Sequence, residues 1–162
     1  MKNIQTLLLI MVAVFILFSC GKKDGTVEMP KPKKLSEAKK QDPMENWQNN
    51  KGIGPVSSIT LPAEIDQSMV AAGKEVYESM CTACHKIDKK FIGPSPKGII
   101  TRRTPEWIMN MILNPEEMTQ KDPIAKQLLI EANGSPMANQ NLTEDQARAI
   151  LEYFRTLDQE KI

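Results

Sequence analysis

Residues 81–85 read Cys81-Thr82-Ala83-Cys84-His85, and most of the chain is organised around that pentapeptide. Two thiols at this spacing can each form a thioether to one vinyl group of a porphyrin. The His that follows directly is then held beneath the iron as an axial ligand. Two other readings compete. A redox dithiol expects a preceding strand and a βαβ setting, and the sequence shows neither. A closed structural zinc site needs four Cys or His ligands, whereas the chain has 3 Cys and 1 His. The context favours one covalently bound haem, attached through Cys81 and Cys84 with His85 as the proximal iron ligand.

Composition agrees with that reading. The 162 residues leave room for one globular domain plus appendages. Aromatic residues make up only 5%, little for a core of this size, and a buried haem would supply the missing flat apolar bulk. A formal net charge of +1 hides no large basic patch of the nucleic-acid-binding kind, so that class of partner is disfavoured.

The amino terminus reads as a targeting segment, 1–19. Lys2 gives a positive start, Leu7 to Phe18 is an unbroken apolar run of 12 residues, and Ser19-Cys20-Gly21 supplies small residues at a cleavage point. A run of that length is too short for a free transmembrane helix. Its end, Leu17-Phe18-Ser19-Cys20, resembles the lipobox of bacterial lipoproteins, in which the Cys carries lipid and becomes the first mature residue. The other reading is an ordinary signal peptide with an incidental Cys. Several acyl chains on Cys20 would tether the protein firmly, where a single chain binds marginally. With Cys20 assigned to lipid and Cys81 and Cys84 to haem, no cysteine is left for a disulfide.

Residues 20–61 read as the lipidated Cys followed by a flexible Pro- and Lys-rich linker. Pro30, Pro32, Pro43 and Pro55 interrupt it, and no apolar periodicity runs through it. Its mild excess of lysine could hug anionic headgroups or simply keep a spacer soluble. Trp47 does not suit a spacer, and it is the residue that could dock part of the linker onto the domain.

The domain, 62–162, reads as all-α, with four helices. Asp66 to Met80 carries an apolar stripe of Met69, Ala72, Gly73, Val76 and Tyr77 that leads straight into the Cys81 motif. Gly73 costs helix stability and so signals a close crossing by another helix. Thr104-Pro105-Glu106 opens a second helix with Trp107, Ile108, Met111 and Ile112 inward and Met109 off that face; Asn114-Pro115 stops it. A third runs from Asp122-Pro123 to Gly134, with Ile124, Leu128 and Leu129 inward. The last has Thr143 and Gln146 as a capping box, followed by Ala147, Ile150, Leu151 and Phe154.

From about Ile65 to Leu157 the chain resembles a class I (mitochondrial-type) cytochrome c domain. The matching pieces are Gly73 and Tyr77 on the first helix, the Cys81 to His85 motif, a Gly93-Pro94 turn after it, and Tyr153 on the last helix. The resemblance implies that the first and last helices cross, with Gly73 allowing contact and the two aromatics packing around it. It implies also that the Pro94 carbonyl accepts from the second ring nitrogen of His85, fixing the ring and raising its basicity as a ligand. Haem of this type is attached outside the cytoplasm, which agrees with the export signal.

His85 is the only His, so the other axial position falls to Met, Lys, water or nothing. Met137 lies in the Asn133-Gly134-Ser135-Pro136-Met137 loop, where the class I family carries its distal Met; Met118 is the reserve. Thioether ligation closes the site to small molecules, which implies outer-sphere electron transfer rather than catalysis. No Ser-His-acid arrangement, second His or phosphate loop argues for an enzyme. Trp107 is expected either in the haem crevice or in plain helix packing. Lys86, Lys89, Lys90, Lys97, Arg102 and Arg103 crowd the segment after the motif, to steer an acidic redox partner, to balance haem propionates, or as a solvated loop. The whole then reads as a monomeric, membrane-tethered electron carrier facing the periplasm of a bacterial envelope. Its layout resembles that of lipoprotein cytochromes that serve a periplasmic reductase such as nitrous oxide reductase. A haem sensor or small-ligand-binding module with a displaceable Met137 is the alternative.

Overall fold

The computed structural model describes Asp42 and residues 44–158, all within one compact unit spanning Lys40–Ile162. The targeting segment 1–19, Cys20 and the linker as far as residue 41 lie outside the described residues.

Helices begin where the sequence supplies a cap. Asp66 accepts from the backbone N–H groups of Ser68 (2.9 Å) and Met69 (3.1 Å) and opens α1, Gln67–Met80. Thr104 accepts from the Trp107 N–H at 3.2 Å, Pro105 takes the first turn, and α2 runs Pro105–Leu113. Asn114 ends that helix, yet Pro115 at once opens another, α3, Pro115–Lys121. The four expected helices thus become five among the described residues. Proline lacks only the N–H that a first turn leaves unpaired, so the residue that stops one helix serves equally to start the next.

Asp122 caps α4, Pro123–Glu131, by accepting from Ala125 N–H at 2.8 Å. That helix ends short of the expected Gly134, which adopts φ 77° and returns its N–H to the Leu129 carbonyl at 2.9 Å. The last helix, α5, Glu144–Leu157, opens with the reciprocal Thr143–Gln146 bonds of a capping box, 3.2 and 2.9 Å. Short 3-10 turns cover Trp47–Asn49 and Ile99–Thr101, and no strand is present among the described residues.

α1 and α5 meet at Gly73. A Cβ there would overlap the backbone of Ala149, so the two chains can lie this close only because glycine has none. Beside that contact Tyr77 packs on Tyr153 and Phe154, ring centroids 5.6 and 5.7 Å away. The stripe read on α1 is narrower than expected: Gly73 and Tyr77 are buried, Met69 and Val76 half-buried, and Ala72 exposed. On α5 the expected Ala147, Ile150, Leu151 and Phe154 are all buried. Glu152 is buried with them, paired to Arg148 and to Arg155, whose Nη1 lies 2.8 Å from both carboxylate oxygens. Arg155 Nη2 also donates to the Pro62 carbonyl at 2.6 Å, tying α5 to the chain entering α1.

The expected flexible linker does not reach residue 61. Residues 44–61 form a strap across α2 instead. Asn110 donates through Nδ2 to the Lys51 and Val56 carbonyls and accepts from the Val56 N–H, each at 2.9 Å. The Thr104 hydroxyl donates to the Asn50 carbonyl at 2.6 Å, Val56 joins the core, and Trp47 packs against it. Met109, expected off the apolar face, is buried in the core. It shares its side of α2 with Glu106 and Asn110, and both of those hold the strap.

Gly73→Ala is expected to destabilise the holo-protein by at least about 3 kcal/mol, because the overlap is with backbone and neither helix can yield. Denaturant unfolding followed by helical circular dichroism checks this, and a midpoint equal to wild type would contradict it.

Candidate functional site

The end of α1 folds directly into the motif. Cys81 N–H completes the helix on the Tyr77 carbonyl at 2.9 Å, and Cys84 and His85 both return their N–H groups to the Cys81 carbonyl, at 3.1 and 2.9 Å. Tyr77 donates its hydroxyl to the His85 carbonyl at 3.3 Å, and burial pushes its phenol up to about 12. Burial also pushes the Cys81 thiol up, with the neighbouring Cys84 adding to it.

His85 is oriented from behind. Its Nδ1 lies 2.8 Å from the Pro94 carbonyl, and since a carbonyl only accepts, Nδ1 carries the proton of that bond and in the neutral ring Nε2 keeps its lone pair. Gly93 closes the other side: a Cβ at that position would overlap the imidazole. Gly93 N–H is itself held by the Cys84 carbonyl at 2.9 Å, so the Gly93-Pro94 turn and the motif fix one another.

Cys81, Cys84 and His85 open onto a cavity of about 220 Å³. Its walls are largely apolar, with Ile99 from the following loop, Ile112 from α2, Leu128 and Leu129 from α4, and Phe154 from α5. Met137 reaches it from the loop before α5, and Trp107 reaches it from α2. Met118, the reserve ligand, does not line the cavity. It is fully buried in α3, where its sulfur accepts from the Ile53 N–H of the strap at 2.9 Å. Sequence spacing could not see this, because the strap that claims Met118 was read as a linker.

The basic segment also divides. Arg102 and Arg103 line the cavity, and neither forms an ion pair among the described residues. Arg102 donates to the Lys97 and Ser95 carbonyls at 2.8 and 2.7 Å. Arg103 donates to the Arg102 carbonyl and to the Met44 sulfur, and lies 5.2 Å over the Trp107 ring. Burial lowers the pKa of both guanidinium groups. Lys97 pairs with Asp88 at 3.1 Å. Lys86, Lys89 and Lys90 stay exposed around Phe91, which is 53% exposed, with the Lys86 ammonium 5.3 Å over its ring.

These donors fit a haem c. Two thiols, one imidazole and the thioethers of Met80, Met111 and Met137 line an apolar cavity, and the guanidinium groups of buried Arg103 and half-buried Arg102, without an ion pair among the described residues, could meet the two carboxylates such a haem carries. No group of three or more His, Cys, Asp or Glu side chains that could hold a bare metal ion forms among the described residues.

A family model described as Cytochrome c matches residues 70–158. The chain belongs to the cytochrome c family. Its cofactor is accordingly one covalently bound haem c with iron, and its domain is built for haem-based electron transfer. Among solved structures it is 42% identical to the cytochrome c from Rhodothermus marinus, with a TM-score of 0.64, over 67% of this chain and 92% of that one. An engineered form of the Rhodothermus marinus cytochrome is 40% identical with a TM-score of 0.65, over 74% of this chain and all of that one. The same engineered protein bound to a carbene intermediate gives 41% identity and a TM-score of 0.63. No curated protein matches the chain.

Gly93→Ala is expected to push the His85 ring off the Pro94 carbonyl and lower the share of purified cytochrome carrying covalent haem roughly 10-fold. The ratio of haem to protein absorbance measures this, and an unchanged ratio with an unchanged spectrum would count against the role given to Gly93.

Proposed function

We propose that this cytochrome is a non-catalytic electron carrier in which His85 and Met137 are the two axial ligands of the haem iron. The observation that carries the proposal is that Cys81, Cys84, His85 and Met137 all line one apolar cavity. Bound there, haem c supplies a one-electron couple at its iron. The chain's part is to hold and insulate it. Cys81 and Cys84 would form the thioethers, Pro94 fixes the His85 ring through Nδ1, and Met137 would supply a thioether to the iron. Arg102 and Arg103 balance the carboxylates, and Trp107 closes the cavity wall beside them.

The exposed side of the cavity supports a docking role. Met80 and Ile92 line the cavity and are 48% and 45% exposed, and Phe91, 53% exposed, follows Lys89 and Lys90 and carries Lys86 over its ring. An acidic redox partner suits that face: its apolar centre makes contact while Lys86, Lys89 and Lys90 steer the approach. Lipid on Cys20 would hold the carrier, as a monomer, to the bacterial envelope on the periplasmic side. There it would pass electrons between respiratory partners, a periplasmic reductase such as nitrous oxide reductase being a candidate acceptor. No helix among the described residues is long and apolar enough to cross a membrane.

A second reading, a small-ligand-binding or sensor module with a displaceable Met137, draws on the carbene intermediate bound by the engineered relative. It also draws on the distal loop, which bends through positive φ at Asn133, Gly134 and Asn141 and places Met137 only half in the interior.

The oxidised holo-protein is expected to show the weak near-infrared band of sulfur-to-iron ligation, and Met137→Ala is expected to abolish it. A band that survives the substitution would place the sulfur elsewhere, and a wild type without the band would favour the second reading.

A further inference from the structure

Behind the cavity wall formed by Trp107 lies a buried carboxylate to which the reading above gives no role. Asp122 is 2% exposed, and all of its hydrogen-bond contacts are donors. The Trp107 Nε1–H donates to Oδ1 at 3.0 Å, the Ala125 N–H to the same oxygen at 2.8 Å, and the Asn50 side-chain amide of the strap to Oδ2 at 2.6 Å. That set suits the ionised carboxylate, which accepts at both oxygens and has nothing to donate to. As a helix cap alone Asp122 would need only the Ala125 bond.

The second charge on this indole is Arg103, 6% exposed, over the ring face. Asp122 acts on it favourably, offsetting part of what burial and Arg102 do to that guanidinium. A charge of each sign therefore bears on one aromatic ring, one over its face and one at its N–H edge, and the ring itself lines the cavity.

We propose that Asp122 is a positioning and charge-setting residue for electron exchange, holding the Trp107 indole against the haem cavity and lowering the midpoint potential of the couple through its buried negative charge. This rests on the haem site proposed above. The sign follows from charge balance. Oxidised iron carries one more positive charge than reduced iron, so a fixed carboxylate hydrogen-bonded to the Trp107 wall of the cavity would favour the oxidised form of a haem held there. Few water molecules can screen the interaction at a group so deeply buried. Asn50 extends the device to the strap, since its amide supplies the donor that fixes Oδ2.

The test is the midpoint potential of the full-length holo-protein, with the near-infrared sulfur band and the Trp107 indole N–H resonance recorded alongside. Asp122→Asn removes the charge at nearly constant volume. Asp122→Ser removes the charge while retaining a residue type that caps helices, and stands in if the amide variant does not fold. Asp122→Glu keeps the charge. The proposal expects the midpoint to rise in the Asn and Ser variants, to stay near wild type in the Glu variant, and the indole resonance to shift in both neutral variants, with the sulfur band intact throughout. An unchanged midpoint in the neutral variants would overturn it, as would an equal rise in Asp122→Glu, which would make the effect one of packing. Loss of the sulfur band in the variants alone would also overturn it, because Asp122 would then act through the distal ligand. A wild type lacking the band would instead fault the ligation proposal on which this one rests.

Discussion

The approach of Gly73 to the backbone of Ala149 is the constraint on which the rest of this structure depends. A side chain at that position would force α1 and α5 apart, and both helices contribute to the cavity wall just beyond the contact. Tyr77 follows one turn along α1 and packs on Tyr153 and Phe154. Cys81 follows one turn after that, so the motif is delivered to the cavity by a helix whose position is already fixed. Phe154 forms part of the same aromatic cluster and also lines the cavity. Buried Glu152, paired to the half-buried Arg148 and Arg155, then locks α5 to the chain entering α1 through the Pro62 carbonyl. A buried ion group of this kind adds little net stability over apolar packing, and its better-attested use is to specify one register.

What could be read from the sequence was what depends on local chemistry. Caps at Thr104, Asp122 and Thr143 marked the helix starts because each places a side-chain acceptor on the orphan N–H groups of its own first turn. Cys81, Cys84 and His85 were legible because covalent attachment requires a fixed spacing, and Gly73 because glycine inside a helix is costly without a reason. The haem cofactor and the family follow from those same residues.

What could not be read depends on pairings between distant segments. The strap has no apolar periodicity, since much of its hold on the domain comes through its backbone. Asn110 takes up the Lys51 and Val56 carbonyls and the Val56 N–H, and one Asn in a helix gives no sign of this. The diversion of Met118 to the Ile53 N–H is a consequence of the same unseen strap. Pro115 was read as a stop, although proline at that position is compatible with a start. The basic cluster looked uniform because spacing does not tell an exposed lysine such as Lys89 from Arg103, whose guanidinium is buried against Trp107.

In the function proposed, His85 and Met137 take both axial positions of the iron, which would leave electron exchange and exclude ligand capture. Mixing the reduced holo-protein with carbon monoxide tests that claim most directly. The account predicts that the reduced spectrum stays unchanged on the timescale of mixing, while the same sample is oxidised at once by an outer-sphere acceptor. Rapid and complete formation of the carbon monoxide adduct would contradict it, because the distal side would then be open or held by a residue that yields.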